Sequence, residues 1–456
     1  MRENKLEHWD ETTGRLIAFA QKTSYEGLDA GTRHETKRHL LDTFASALGA
    51  YDERVCIMSR SFAARYHSTD QARVWGSGIC AAPDIAAFAN GVMVRTLDVS
   101  DTYLGRSRGH PSDMISGLVA VAELAHADGK ALIEAISLAY DVYCSFCEHV
   151  DVNAKGWDQP VYNVLGCALG AAKLMALSAD ETGHAVSLAI TPNMALAQAR
   201  RGNLSGWKGC AGANASRNAV FAAMLAQEGF TGPAAAFDGS GGLWEVIGRI
   251  DWPLPDQPLI RKTHTKSLPV CYHGQSAVLA ALDLRQRVNR LEIEEIKVEA
   301  YGTAVFMMGN DASRWAPTTR ETADHSFPYC IAIALLDGEV TQASFAEDRL
   351  GDPTVKELMR KVKVVEAPAL SAIYPEGAPG RVTILTRSGE THAAEVRYPK
   401  GHEKNPMPDI EIEEKFIDLC AGRLSAEQRE KVIETLWQLE RVDDVRTLTA
   451  LLSPKA

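Results

Sequence analysis

Helical periodicity runs from about residue 10 to residue 255 of this 456-residue chain and then stops at a cluster of prolines. Within this stretch, apolar residues recur three and four positions apart, which is the spacing of one face of an α-helix. Many of the segments are rich in alanine and glycine, and such faces let helices pack closely. The segment WPLPDQP holds three prolines and marks a domain edge. The pattern therefore predicts a large helical first domain.

Strand-like segments follow the proline cluster. They are IEEIKVEAYG, RVTILTRSG and THAAEVRYP, and Ser388-Gly389 between the last two predicts a hairpin. Helices are predicted between them, including YCIAIALLDG and DPTVKELMRKVKVV. After Pro408 the pattern is helical again. We predict a mainly α chain with a smaller inserted α+β domain: a helical domain at 1–262, the α+β domain at 263–404, and C-terminal helices at 405–456 that pack back on the helical domain.

The charge and composition narrow the class of protein. The chain has 48 basic and 59 acidic residues, a formal net charge of -11, and no basic block, which argues against a nucleic-acid partner. A pocket on an acidic protein can still be positive and bind an anion. A polar start and the lack of a long apolar run predict no secretory signal and no membrane partner. Nine scattered cysteines suggest reduced thiols in a cytoplasmic protein, with the pair Cys144 and Cys147 buried on a helix.

Polar residues gather in the first domain where one predicted helix ends and another begins. Asp98, Asp101 and Thr102 follow the helix, and His110 and Ser112 open the next one. A helix N-terminus offers free N–H groups and a partial positive charge, so it can hold a carboxylate. A histidine there can serve as an acid/base group or contact an anion. The alternative is a capped helix with ordinary surface polar residues.

A second set of candidates surrounds the domain edge. Lys208 starts a helix rich in small residues, and Lys266 precedes Tyr272 and His273. Two lysines fit a polyanionic substrate, although solvated surface charges would have the same pattern. His325 stands at another predicted helix N-terminus, where capping is the alternative to catalysis.

These residues lie in segments that resemble the MmgE/PrpD family, which includes 2-methylcitrate dehydratase, cis-aconitate decarboxylase and iminodisuccinate epimerase. The resemblance covers nearly the whole chain. Its carriers, in chain order, are ANGVMVRTLDVSDTYL, GHPSDMISGLVAVAE, GWDQPVYNVLGCALGAAKLMALS, SGWKGCAGANASRNAVFAAMLAQEGFTGP, SLPVCYHGQSA, ETADHSFPYCIAIALLDGEV and YPKGHEKNPM.

The resemblance implies a helical first domain, a smaller α/β second domain and a C-terminal return to the first. It also implies a homodimer that works without a metal, an iron–sulfur cluster or another cofactor. The substrate it implies is a small polycarboxylate, bound in a cleft between the domains.

The family motifs can be carried over residue by residue. The lysine ahead of the second domain falls on Lys266, with Lys262 as the alternative. We predict catalytic roles for Asp98, His110, Lys208, His273 and Tyr329, and substrate binding by Thr102, Arg106, Lys266, Tyr272 and Ser112.

This chain departs from the family pattern at two places. Decarboxylase-like members often carry a histidine after the Gly-aromatic pair, where this chain has Asp158, and the dehydratase-like branch tends to have Asp-His, where this chain has Asp158-Gln159. The segment between Thr102 and His110 is longer than in some members and brings in Arg106 and Arg108. Both departures bear on substrate identity more than on fold.

The resemblance implies chemistry in which a proton or a carboxyl group leaves a carbon next to a carboxylate. Cations placed where this charge develops lower the barrier. We expect elimination of water from a 2-hydroxy di- or tricarboxylate similar to 2-methylcitrate. Decarboxylation or epimerisation on the same scaffold is the first alternative. A non-catalytic binding protein is the second.

Overall fold

The computed structural model describes residues 8–193, 195–202 and 204–454. The chain forms two compact units. The first consists of the chain up to Gln198, Gly209–Thr263 and the chain from Pro408 onward, and the second of Ala199–Lys208 and His264–Met407. Within the described ranges, no helix combines the length and the apolar character needed to cross a bilayer.

The first unit is built from long helices, as the periodicity predicts. Helix α2 is buried along most of its length because it is surrounded by other helices of the unit, among them α4, α6 and α19. The helices of this unit up to residue 263 are α1 (Glu11–Lys22), α2 (Ala30–Gly49), α3 (Arg54–Ala63), α4 (Pro83–Thr96), α5 (Ile115–Leu124), α6 (Gly129–His149), α7 (Pro160–Leu174), α8 (Ala179–Ile190), α9 (Trp207–Gln227) and α10 (Leu243–Ile247). The first two residues of α9 are grouped with the second unit.

Two short antiparallel ribbons interrupt these helices. Strand β1 (Ala72–Arg73) pairs with β2 (Cys80–Ala81), and β3 (Tyr103–Leu104) pairs with β4 (Arg108–Gly109). The second ribbon lies in the segment between the predicted site residues Thr102 and His110. It is followed by a 3-10 turn at Pro111–Met114 that leads into α5.

Helix ends in this unit follow the expected capping chemistry. The Ser178 hydroxyl accepts a hydrogen bond from the Glu181 amide, while the Glu181 side chain accepts one from the Ser178 amide. Ser425 and Gln428 form the same reciprocal pair. Both capping boxes satisfy backbone N–H groups that the first turn of a helix leaves without an intrahelical acceptor.

The C-terminal segment contributes three more helices to the first unit, α19 (Asp409–Cys420), α20 (Ala426–Trp437) and α21 (Arg446–Ala450). Helix α19 lies against α2. The Lys415 ammonium is 2.6 Å from Asp42 Oδ1, and Arg38 pairs with Asp409. Gly49 lies so close to Leu419 that a Cβ atom there would come within 3.1 Å of it. Ion pairs and close packing together hold this segment on α2.

The CxxC pair lies on α6 as two buried thiols, which confirms the prediction that Cys144 and Cys147 are buried on a helix. Burial raises the pKa of both thiols. A thiol that resists ionisation is a poor nucleophile and a poor metal ligand, so these two side chains act as small apolar groups.

The second unit combines short helices with one mixed sheet. Its helices are α11 (Gln275–Arg285), α12 (Gly302–Met308), α13 (Ala312–Trp315), α14 (Arg320–Ala323), α15 (Phe327–Asp337), α16 (Glu347–Gly351), α17 (Pro353–Met359) and α18 (Pro368–Ser371). Its strands are β5 (Ile293–Ala300), β6 (Val362–Glu366), β7 (Gly380–Thr386) and β8 (Thr391–Val396), in the order β6-β5-β7-β8.

Strands β7 and β8 pair antiparallel, so the hairpin predicted at Ser388-Gly389 is confirmed. The prediction of one helix over 352–365 is wrong in its second half. Helix α17 ends at Met359, and Val362–Glu366 forms strand β6, parallel to β5. The reason is that β-branched valines at 362, 364 and 365 favour a strand, and β5 offers an edge with which they can pair.

Candidate active site

The first unit holds a buried cluster at the end of α4. Arg95 Nη1 donates to Asp98 Oδ1 at 3.0 Å and to Ser100 Oγ at 3.1 Å, and its Nε lies 3.4 Å from Asp113 Oδ1. Asp98 has a φ of 55°, in the left-handed region that few residues other than glycine adopt. Its surroundings therefore hold Asp98 in an uncommon backbone conformation, as is frequent at functional sites.

Asp101 has a supporting role in this cluster. Its Oδ1 accepts a hydrogen bond from the Ser112 amide at 3.0 Å, and its Oδ2 accepts one from the Tyr140 hydroxyl at 2.8 Å and lies 3.3 Å from His39 Nδ1. Burial raises the pKa of Asp101, although the His39 charge and these hydrogen bonds act in the opposite direction. The carboxyl group thus ties the loop after α4 to the start of α5 and to α6.

The His110 ring is oriented by the same loop. Its Nδ1 lies 2.6 Å from the Asp101 carbonyl oxygen and 3.2 Å from Thr102 Oγ1. A carbonyl oxygen can only accept, so Nδ1 carries the proton. The neutral imidazole then has its lone pair on Nε2, which is the form required of a general base.

Gln159, where the sequence departs from the family pattern, belongs to the same cluster. Its Oε1 accepts from the Tyr143 hydroxyl at 2.5 Å and lies 3.4 Å from the His110 amide, and its Nε2 donates to Asp113 Oδ2 at 3.2 Å. Asp158 is also buried, and its Oδ1 accepts from the Gln159 amide. The departure therefore replaces an imidazole with an amide next to His110.

Two predicted substrate-binding residues of this unit have contrasting positions. Arg106 is exposed, in the turn that joins β3 to β4. Ser112 is fully buried, and its hydroxyl has no hydrogen-bond partner among the described residues. The structure thus places Thr102 and Ser112 next to His110 or Asp101 and places Arg106 on the surface. Substrate binding by all three stays a prediction.

The second unit holds a buried charged cluster around Lys208, which we call the Lys208 cluster: Lys208, Asp324 and His325. Lys208 Nζ lies 3.2 Å from Asp324 Oδ1, 3.5 Å from Asp324 Oδ2 and 3.2 Å from His325 Nδ1. His325 also contacts Asp324 directly. All three side chains are less than a tenth exposed. One buried carboxylate thus pairs with both a lysine and a histidine.

Asp324 and His325 are placed by the segment that begins α15. Ser326 is the N-cap of that helix and accepts a hydrogen bond from the Tyr329 amide, and the Cys271 amide donates to the Asp324 carbonyl at 2.9 Å. Burial lowers the pKa of His325, but the negative charges of Cys271 and Asp324 outweigh it, and the net shift is upward. The Lys208 cluster thus combines one carboxylate with two basic side chains.

The two lysines between which the sequence could not choose differ in environment. Lys266 is fully buried in the second unit. Lys262 belongs to the first unit, is more than half exposed and pairs with Glu148 at 3.6 Å. Next to Lys266, the Thr265 amide donates to the carbonyl of Gly401, where a Cβ would come within 2.3 Å of the Thr265 carbonyl oxygen. This close approach requires glycine and fixes the backbone ahead of Lys266.

His273 is held by a residue that the sequence did not indicate. His273 Nδ1 lies 2.6 Å from the Tyr301 hydroxyl, and the Tyr301 ring stacks on Tyr374 with a centroid distance of 4.6 Å. Tyr272 is buried next to it and stacks on His264. His273 and Tyr301 are both almost fully buried, so the hydrogen bond sets the orientation of the imidazole.

The hydroxyl group of Tyr329 is hydrogen-bonded to the backbone. It donates to the Ser344 carbonyl at 2.6 Å, and burial raises its pKa. Its side chain lines a cavity of about 640 Å³ together with Trp315 and Met359. No described hydrogen bond links the Tyr329 hydroxyl to the Lys208 cluster, and the catalytic role of Tyr329 stays a prediction.

Several residues of these clusters were not among the predicted site residues. Arg95 lies in the last turn of α4, and its only signal in the sequence was its position three residues before Asp98. Asp324 directly precedes the candidate His325, and nothing else in the sequence points to it. No sequence pattern indicated Asp113, Tyr140, Tyr143 or Tyr301, because their partners are remote in the chain.

The helical first unit and the mixed second unit match the domains of one family. The MmgE/PrpD N-terminal domain matches residues 14–253, and the MmgE/PrpD C-terminal domain matches residues 268–439. The chain belongs to the MmgE/PrpD family, and it has the mainly α, two-domain composition expected of a member.

Similar proteins include two that are named as dehydratases and one that is named as a decarboxylase. The chain is 27% identical over 443 residues to 2-methylcitrate dehydratase of Cupriavidus necator, with 90% of each chain covered. It is 26% identical over 401 residues to 2-methylcitrate dehydratase of Escherichia coli K12, with 82% of each covered. It is 26% identical over 475 residues to human cis-aconitate decarboxylase, with 96% of this chain and 95% of the relative covered.

Proposed function

We propose that this chain is a lyase that eliminates water from a 2-hydroxy tricarboxylate or dicarboxylate of the 2-methylcitrate type. The observation that carries the proposal is the hydrogen bond from His110 Nδ1 to the Asp101 carbonyl, which leaves the lone pair on Nε2. The names of the dehydratase relatives support the substrate class.

In the proposed reaction, His110 Nε2 removes a proton from the carbon next to a carboxylate. The electron pair of the broken C–H bond forms the carbon–carbon double bond, and the hydroxyl group on the neighbouring carbon leaves with a proton as water. The products are one alkene and one water molecule. A positioned base of this kind contributes about 10²–10⁴-fold to the rate.

The cations have a separate role in the proposal. While the proton leaves, negative charge builds on the carboxylate attached to the reacting carbon. Lys208 and Lys266 are buried, and a buried cation interacts more strongly with such a charge than an exposed one does. Asp324 keeps Lys208 in place through both carboxylate oxygens.

Decarboxylation of a cis-aconitate-like acid is the second candidate, and the human relative favours it. In that reaction a C–C bond breaks, carbon dioxide leaves, and the carbon takes up a proton. Asp158 weighs against it, because decarboxylase-like members often carry a histidine after the Gly-aromatic pair, where this chain has an aspartate like the dehydratase-like branch.

A product analysis tests the two candidates. The purified chain is mixed separately with 2-methylcitrate, citrate and cis-aconitate, and the mixtures are followed by ultraviolet absorbance and mass spectrometry. We expect a conjugated alkene from 2-methylcitrate. Release of carbon dioxide from cis-aconitate would instead establish the decarboxylase, and no reaction with any of the three would contradict both.

The role of His110 is tested by two substitutions. His110→Ala removes the base, whereas His110→Asn keeps a donor for the Asp101 carbonyl and loses the base as well. Both variants should lower kcat by at least about 10²-fold. The exposed His67 provides the control, because His67→Ala should leave kcat unchanged. Circular dichroism checks the fold, and near-normal turnover by a folded His110→Asn variant would refute the assignment.

A further inference from the structure

Arg314 is a buried cation that neither the sequence analysis nor the reaction described above uses. It lies on α13 with 3% of its surface exposed. Its Nε donates to the Met307 carbonyl at 3.3 Å, which leaves the guanidinium in a fixed plane. Its Nη1 is buried and has no hydrogen-bond partner among the described residues. Buried donors in native proteins are nearly always matched, so this one requires an explanation.

Arg314 is connected to the Lys208 cluster through Ser326. The Ser326 hydroxyl donates to the Arg314 carbonyl, and Ser326 directly follows Asp324 and His325 in the chain. Burial lowers the pKa of Arg314, while the negative charges of Asp311, Cys271 and Asp324 act on the guanidinium in the opposite direction. Asp324 therefore interacts electrostatically with Arg314 as well as with Lys208.

The chemistry of a guanidinium group indicates which ligand would accept a hydrogen bond from Arg314 Nη1. Arginine stays charged when buried, and its planar fork of N–H groups fits the two oxygens of a carboxylate. A lysine ammonium, in contrast, is a point charge without a preferred plane. A polycarboxylate offers such a group. Only the carboxylate attached to the reacting carbon takes up the negative charge that develops in the reaction, so another carboxylate can bind the guanidinium.

We propose that Arg314 binds a carboxylate of the substrate that is remote from the reacting carbon, close to the Lys208 cluster. The proposal rests on the polycarboxylate lyase proposed above and extends it, because it assigns a residue to the recognition of an additional carboxylate. The effect of Arg314 then falls on substrate binding and on the choice between substrates with more and fewer carboxylates. The chemical step is left to other groups.

Steady-state kinetics separates these effects. Arg314→Met keeps most of the side-chain volume and removes the charge, and Arg314→Lys keeps the charge and removes the fork. With 2-methylcitrate as substrate, Arg314→Met should raise KM by about 30-fold or more while kcat changes less than about threefold. Arg314→Lys should give an intermediate KM. With 2-methylmalate, which has one carboxylate fewer, Arg314→Met should leave the residual kcat/KM within about twofold of the wild-type value.

Arg285 provides a matched control in the same unit. It is partly buried, and its Nε also lacks a partner among the described residues. It lies near Gly338, at the C-terminal end of α15, whereas Ser326 and the Lys208 cluster lie at the N-terminal end. The 11 residues of this helix separate the two ends by roughly 16 Å. Arg285→Met should therefore leave KM for 2-methylcitrate unchanged. Equal effects of the two Met variants would overturn the proposal.

Ligand binding supplies a readout that does not depend on turnover. We expect citrate to raise the melting temperature of the wild-type protein and of Arg285→Met, and to have a much smaller effect on Arg314→Met. If citrate stabilises wild type and a folded Arg314→Met equally, the Arg314 proposal is wrong and the lyase proposal survives. If no polycarboxylate stabilises the wild type or is turned over by it, both proposals are wrong.

Discussion

A single hydroxyl group, that of Tyr301, sets the orientation of one candidate catalytic ring. It lies 2.6 Å from His273 Nδ1, at the point where β5 ends and α12 begins. The partner imidazole is buried, so it has little access to water as a substitute. We propose that Tyr301 is a positioning residue, which acts on the reaction through His273.

Replacement of Tyr301 by phenylalanine tests this arrangement. Tyr301→Phe keeps the ring and its stacking on Tyr374 and removes only the hydroxyl. We expect kcat to fall by about tenfold, because a hydrogen bond contributes roughly 1 kcal/mol and its loss leaves a buried ring nitrogen unmatched. KM should change little, and the histidine limb of the pH–rate profile should move.

The neighbouring tyrosine is the control for this experiment. Tyr374→Phe alters a ring in the same stack and keeps the hydrogen bond between Tyr301 and His273. A shift of the pH–rate profile in both variants alike would show that packing, and not the hydrogen bond, is responsible.

Single residues also show where prediction from the sequence ends. His110 and Lys208 could be proposed from their motifs, since the family resemblance implies catalytic roles at those positions. Tyr301 and Arg314 could not. Tyr301 contacts His273, which lies 28 residues before it, and Arg314 contacts Ser326, which caps another helix. Such contacts depend on how the chain folds back on itself and leave no local pattern.

At the scale of elements, glycine determines how closely α6 and α7 approach each other. A Cβ at Gly166 would come within 2.6 Å of the Ala139 carbonyl oxygen and 2.7 Å of Met114 Sδ. A Cβ at Gly170, one turn further along α7, would come within 3.0 Å of the Ala135 carbonyl oxygen. Backbone atoms cannot rotate away as a flexible side chain can, so the two helices would have to separate. Tyr143 and Gln159 bridge the same pair of elements.

Two alanine substitutions should therefore have opposite effects on stability. Gly166→Ala should lower the free energy of unfolding by about 1–3 kcal/mol, because overpacking forces the helices apart. Gly14→Ala is the matched control. It is also inside a helix, α1, and a Cβ there meets nothing within 4 Å. Its higher helix propensity should raise stability by about 0.5–1 kcal/mol.

The midpoints of chemical denaturation measure both changes. Two changes of the same sign would show that the approach of α6 and α7 does not determine the effect at Gly166.

The elements themselves were predictable where local preference and tertiary contacts agree. The long helices of the first unit, its two capping boxes and the β7–β8 hairpin all carry their signals in the local sequence. Strand β6 does not. Its segment KVKVV continues from a helix, and the pairing with β5 decides its conformation. A parallel partner is remote in the chain, so only the folded structure reveals it.

At the scale of the whole molecule, two buried titratable groups, Asp141 in the first unit and His402 in the second, contribute to the pH dependence of stability with opposite signs. In the first unit, burial raises the pKa of Asp101, Glu123 and Asp141, the last to about 7. In the second unit, burial and the Lys404 charge lower the pKa of His402 to about 4.

The signs follow from proton binding. Unfolded Asp141 releases its proton near 3.8, whereas the folded protein keeps it up to about pH 7. The folded state binds more protons in this interval, so stability falls as pH rises through it. His402 binds a proton below about 6.5 in the unfolded chain but only below about 4 in the folded one. Stability from this residue therefore falls as pH decreases from 6.5 to 4.

Replacement of Asp141 by asparagine isolates the contribution of Asp141 to the pH dependence of stability. The Asp141 carboxyl accepts a hydrogen bond from the Leu259 amide at 2.7 Å, and the asparagine oxygen can keep it without any titration. At pH 4 the variant and the wild type should be nearly equal in stability. As pH rises to 8 the variant should become the more stable protein, by about 4 kcal/mol at most.

Denaturation curves at one-unit pH intervals from 4 to 8 measure this difference. Asp128→Asn is the control, because Asp128 is an exposed N-cap of the same helix, α6, and asparagine caps a helix about as well as aspartate. Its stability relative to wild type should not change with pH. A difference between Asp141→Asn and wild type that stays constant from pH 4 to 8 would show that Asp141 does not titrate in this range in the folded protein. The pH response of the first unit would then have to come from Asp101 and Glu123, whose carboxyl groups are held by side-chain hydrogen bonds from Tyr140 and Thr449.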